Sequence, residues 1–200
     1  MSRFTILLVA FLALLLVASS AQAGTVKTRF DTLTGDGSMQ TNIKSGGGGA
    51  FEFALLSENG DGTDLPFPVG SSFIGFCIEL VETINYGAVR DYDVVPPATA
   101  PKLNGTYGAM GPYAADDMAI LFGNHHQGNA KSDWTATQGA AFQLAVWEIM
   151  YENTQAAGTN FNGTYNVTST NPLHGNFYVT GGVSTTVLDL ANSYLATVNA

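Results

Sequence analysis

The 200-residue chain carries 7 Lys+Arg against 16 Asp+Glu, a formal charge of −9, with 46% hydrophobic residues, 23 glycines and one cysteine. A chain of this size can bury a real core within one domain. No basic cluster interrupts its acidity, so phosphate backbones and anionic lipid headgroups are repelled, which argues against nucleic-acid and acidic-membrane partners.

In chain order, Arg3 is followed by an almost wholly apolar run over residues 4–17 and then by an Ala-Gln-Ala site ending at Ala23. This pattern predicts a signal peptide at residues 1–23, cleaved after Ala23. The run is shorter than the roughly 20 residues a spanning helix needs. The mature chain, residues 24–200, is therefore expected to be one secreted or cell-surface domain with no transmembrane span. Without Arg3 its formal charge is −10. A lone cysteine is anomalous for such a compartment, where cysteines usually pair and an unpaired thiol is liable to oxidation.

Residues 25–33 read as a first strand, Gly35-Asp36-Gly37 as a turn and residues 39–43 as a weak second strand. The tetraglycine at 46–49 lacks the Lys-Ser/Thr of a phosphate loop and reads as a hairpin loop. Residues 50–56 form a strand with Phe51, Phe53 and Leu55 on one face. Residues 72–80 form a strong strand with Cys77 and Glu79 on one side, and β texture continues to residue 95. Pro96–Pro101 breaks the sheet. Pro112 opens a short helix that Gly123 should stop, and Ser132 or Asp133 caps a longer one running to about Glu152. Residues 162–182 return to strand and turn, and residues 185–198 close as an amphipathic helix. The class is α+β: sheet, helical insertion, a little more sheet, C-terminal helix.

In the long helix, Gln143 shares a face with Gly139 and Trp147. That face is apolar, so the amide must be paired if buried. Taken alone, a core glutamine bonded to a loop backbone explains it. The only thiol, however, lies in the strand on which this helix should pack. A cysteine thiolate held against a glutamine carbonyl can displace ammonia and close an internal thioester. The amide supplies the leaving group, and a dry, pre-oriented pocket supplies proximity and protection from water.

Phe76-Cys77-Ile78-Glu79 and Phe142-Gln143-Leu144-Ala145-Val146-Trp147 resemble the Cys and Gln motifs of bacterial surface thioester domains. The family's Gln-x-Ala-aliphatic-Trp motif matches Gln143–Trp147 position for position, whereas the residues after Cys77 match more loosely. The pair is also similar to that of exported envelope proteins bearing Phe-Cys-x-Glu and Ala-Phe-Gln-Leu-Ala-x-Trp-Glu ahead of a C-terminal sorting signal; no Pro-Glu-Pro, hydrophobic, basic tail follows Leu195. The resemblance implies a β-sandwich or barrel with a helical insertion and a Cys77–Gln143 thioester. Glu79 and Glu148 flank the pair in sequence, either orienting or polarising it or serving a salt bridge or cap; Trp147 would shield the bond, and Gln138 is the alternative acyl donor. It further implies covalent adhesion to an amine on a partner surface, whether a protein lysine, a polyamine or a glycan amine. Such a single-use bond is not an enzyme's turnover and needs no cofactor or metal. The competing expectation is a non-covalent envelope or matrix protein of the same fold.

Weaker signals point elsewhere. Cys77 with His125, His126 or His174 would make a hydrolase dyad, but no spacing supports it. His125 and His126 with Asp116 and Asp117 lack a second pair to complete a metal site. Residues 57–64 are oxygen-rich but lack the bidentate Glu of a calcium loop. Asn104, Asn162 and Asn166 sit in short glycosylation-like triplets.

Overall fold

The computed structural model describes residues 24–59, 67–80, 83–100, 109–152, 163–170 and 176–199. The signal-peptide segment, His174, Asn104, Asn162 and most of the oxygen-rich loop lie outside these residues.

Two long strands dominate the sheet, β1 (Thr25–Thr41) and β2 (Ser45–Asn59), joined by a turn at Asn42-Ile43-Lys44. Thr41 makes that turn. Its hydroxyl donates to the Lys44 carbonyl at 2.7 Å and accepts the amides of Ile43 and Lys44, the local side-chain chemistry that favours threonine in turns. The tetraglycine is therefore strand rather than loop. Gly35-Asp36-Gly37 is likewise a bulge inside β1, where the register slips between Asp36 and Met39. Asp36 Oδ1 accepts both the amide and the hydroxyl of Ser38 there, so turn chemistry bends a strand without reversing it.

β3 (Ser72–Gly75) pairs with β2, β4 (Val89–Asp93) with β1, and β5 (Val179–Gly181) with the far end of β1, all antiparallel. The order is β3-β2-β1-β4, with β5 off this path. The expected strand over 72–80 thus ends at Gly75, and Cys77 sits in the extended segment just beyond it.

Three α-helices follow among the described residues: α1 (Pro112–His125), α2 (Ala136–Glu152) and α3 (Thr185–Ala196). Pro112 opens α1 as expected, but the helix runs through Gly123, where nothing surrounds the missing side chain. A glycine in an exposed turn weakens a helix without stopping it. Residues Lys131–Asp133 form a 3₁₀ turn rather than the cap of α2. The cap lies two residues on. Gln138 Oε1 accepts from the backbone amide and hydroxyl of Thr135, and the Gln138 amide donates to Thr135 Oγ1, a Thr-x-x-Gln capping box.

α2 packs on β1 and β2 on one side and on α1 and α3 on the other. Every residue from Gly139 to Glu152 is buried, as expected of a helix apolar nearly all round. The α+β class is thus met by one antiparallel sheet with helices layered against it. None of the helices among the described residues is long and apolar enough to cross a membrane.

Candidate functional site

α2 approaches the sheet unusually closely, and glycines make this possible. A side chain at Gly139 would stand 2.1 Å from the Thr34 carbonyl oxygen and 3.0 Å from the Ala50 nitrogen. One turn further along, a side chain at Gly48 would meet Trp147, Met39 and Cγ of Gln143 at 2.7–3.0 Å. The stripe Gly139-Gln143-Trp147 therefore lies directly on the glycine end of the β1–β2 ribbon.

The chain after β3 crosses α2 and is tied to it at three residues, Phe142 and Gln143 in one turn and Tyr151 two turns further on. Phe76 packs on Phe142 with ring centroids 4.5 Å apart and on Trp134 at 5.0 Å. The Cys77 amide donates to Gln143 Oε1 at 2.9 Å, and Gln143 Nε2 donates to the Cys77 carbonyl at 2.7 Å. The Leu80 amide donates to the Tyr151 hydroxyl at 2.8 Å. Reversing the Gln143 amide would set N–H against N–H and oxygen against oxygen, so the network fixes its orientation.

Gln143 is wholly buried and Cys77 is half-buried. The thiol donates to the Glu79 main-chain carbonyl at 2.8 Å, and Glu79 itself is buried. Cys77, Glu79 and Trp147 share the wall of an open cavity of about 970 Å³. The amide is presented for acyl transfer in one respect: Oε1, where negative charge would gather during attack on the carbonyl, already receives a main-chain N–H.

The other expected residues fall in different places. Trp147 packs on the glycine floor with its indole N–H lacking a hydrogen-bond partner among the described residues. Glu148 faces away from the cysteine. Its Oε1 accepts the Asn166 amide at 2.6 Å, and Oε2 has no hydrogen-bond partner among the described residues. Burial pushes its pKa up to about 9; the Asn166 bond opposes this and nearby Glu152 adds to it. Glu152 in turn accepts the Phe177 amide at 2.8 Å. These two carboxyl groups hold the main chain at Asn166 and at Phe177 to α2 and are not arranged around the cysteine. The i, i+4 spacing of 143, 147 and 151 against 148 and 152 divides α2 into these two faces.

Gln138 is engaged in the capping box at the start of α2. His125 Nε2 lies 2.9 Å from Thr197 Oγ1 and its ring stacks on Tyr194, while His126 packs on Phe122 and Trp134. Burial lowers the pKa of both. Asp117 accepts the Tyr165 hydroxyl and Asp116 is exposed. No group of three metal-ligating side chains occurs among the described residues. Asn166 Oδ1 is occupied by the amide and hydroxyl of Thr168.

The unforeseen part of the site is its floor. Gly48 of the tetraglycine and Gly139 of α2 are what admit the helix, while Gly35 and Gly49 let the β1 and β2 backbones close on each other beside it; the signal was the coincidence of a glycine run with a glycine four residues before Gln143. Comparisons with protein-family models, with curated proteins and with solved structures found no match.

Proposed function

We propose that the chain is an exported surface protein in which Cys77 and Gln143 close an internal thioester for covalent attachment to an amine on a partner. One observation carries the reading. The main chain of the sole cysteine, which lines an open cavity, and the side chain of a wholly buried glutamine 66 residues away hold each other by two hydrogen bonds. In closure, the Cys77 sulfur bonds to Cδ of Gln143, the C–N bond breaks, and the thiol proton leaves with the nitrogen as ammonia. The Cys77 N–H stabilises the charge on Oε1, and confinement supplies the proximity. An incoming amine then forms an amide with Gln143 and returns a proton to the Cys77 sulfur. Each chain reacts once, so this is adhesion rather than enzymatic turnover. On this reading the sheet and its facing segments belong to the β-sandwich or barrel of thioester domains.

A second reading has its own observation. Both polar ends of the Gln143 amide are satisfied by the Cys77 main chain, and the thiol hydrogen bonds to the Glu79 carbonyl. A core glutamine so placed can simply dock the 76–80 segment in a non-covalent envelope or matrix protein of the same fold.

Methylamine separates the two. The thioester reading predicts one methylamide at Gln143 and one newly titratable thiol per chain, both abolished in Cys77→Ser. A wild-type chain that gains no methylamide, and whose thiol titrates fully beforehand, establishes the second reading.

A further inference from the structure

The cavity beside Cys77 has a character of its own. One wall is aromatic. Tyr86 is 67% exposed, yet its ring stacks on Phe30 at 4.9 Å and 17°. Phe53 and Phe73 stack at 5.5 Å and 22°, and Tyr92 stands edge-on to Phe53 at 6.5 Å. All of these rings line a volume of about 970 Å³, with Tyr86 and Tyr92 as its exposed members. The charged groups facing that volume are Glu79, Asp91 and Asp93 against Lys44 and Arg90. Asp91 also lies 3.6 Å from Lys27. Glu79 is 8% exposed and two residues from Cys77, so a carboxylate sits deep at the reactive end.

We infer that this cavity seats an oligosaccharide carrying unsubstituted amino groups. A pyranose offers an apolar C–H face to an aromatic ring and directs hydroxyl groups sideways. An ammonium group gains from ring faces and from carboxylates together. The volume is that of a ligand-sized cleft and suits several sugar units. A single lysine side chain would fill little of it and has no flat face for the Phe30–Tyr86 stack. Acidic glycans are repelled by the chain's own charge of −9. The covalent step rests on the thioester reading: the sugar nitrogen bonds to the Gln143 carbonyl carbon, the C–S bond breaks, and the amine proton passes to sulfur. The seating itself does not depend on that bond.

The test uses the Cys77→Ala chain, which has no sulfur to acylate, titrated with a glucosamine tetramer, the fully N-acetylated tetramer and a lysine-containing tripeptide. The expected result is that the glucosamine tetramer binds at least about tenfold more tightly than the other two, and that Tyr86→Ser and Asp93→Asn each cost about tenfold. No binding of the glucosamine tetramer, equal binding of the acetylated tetramer or the peptide, or indifference to Tyr86→Ser overturns the inference. Wild-type chain mixed with the same tetramer and weighed reports separately on the thioester. Binding to Cys77→Ala without a wild-type adduct supports the seat and rejects the bond, and an adduct without the sugar preference does the reverse.

Discussion

The middle of the β1–β2 ribbon, from Phe30 and Phe53 to Asp36 and Gly48, has ends of opposite texture. At the Thr34–Asp36 end, Gly139 of α2 and Gly48 of β2 let the helix lie against backbone. At the other end, Phe30, Phe51 and Phe53 carry rings packed on one another at 5.4–6.4 Å, and these line the cavity. One pair of strands thus does two jobs: removing side chains brings a helix and its glutamine in, and adding rings holds a space open. The Cys77 segment bridges the ends, bonded to α2 on one side and facing the cavity on the other.

The sharpest way to break this contrast is to put a methyl group at the glycine end. Gly139→Ala sets a carbon against backbone that cannot rotate away, so helix and sheet must part. It should cost about 3 kcal/mol or more in urea unfolding and reduce methylamine incorporation in whatever still folds. Gly48→Ala meets only side chains, among them Met39 Sδ and Trp147. A cost of about 1–2 kcal/mol is expected, since flexible ends can give.

The far face of α2 is sharpened by pH. Glu148 holds its proton in the folded chain up to about 9, against an ordinary 4.5. The folded state therefore binds the proton more tightly. Its contribution is complete below about pH 4.5 and is lost as pH rises through about 9. Glu148→Gln keeps an acceptor for the Asn166 amide and should flatten that decline when urea midpoints are followed across the same range. A slope unchanged by the substitution would assign the decline to other groups.

The smallest effect belongs to the aromatic end. Tyr86→Ser removes one exposed ring stacked on Phe30 and should lower the unfolding free energy in urea by no more than about 1 kcal/mol.

How far this was legible in the sequence differs element by element. The helices α1 and α3, the apolar run of α2 and the Cys77–Gln143 pairing follow from periodicity and motif. The tetraglycine and Gly35-Asp36-Gly37 misled, because glycine signals either a turn or a close approach and the difference lies in a partner distant in sequence. Cys77 was placed in a strand because alternation continues past Gly75, while the hydrogen bonds that would extend the strand go to Gln143 and Tyr151 instead. The cap of α2 was readable as Thr135-x-x-Gln138, and the same bonds place Gln138 in the helix start.

The central claim concerns one bond, and intact mass reads it directly. The purified mature chain should be lighter than its sequence by one ammonia, and Cys77→Ala and Gln143→Ala should each show the full mass expected for their sequences. A wild-type chain at full mass, with a thiol that titrates completely, would contradict it.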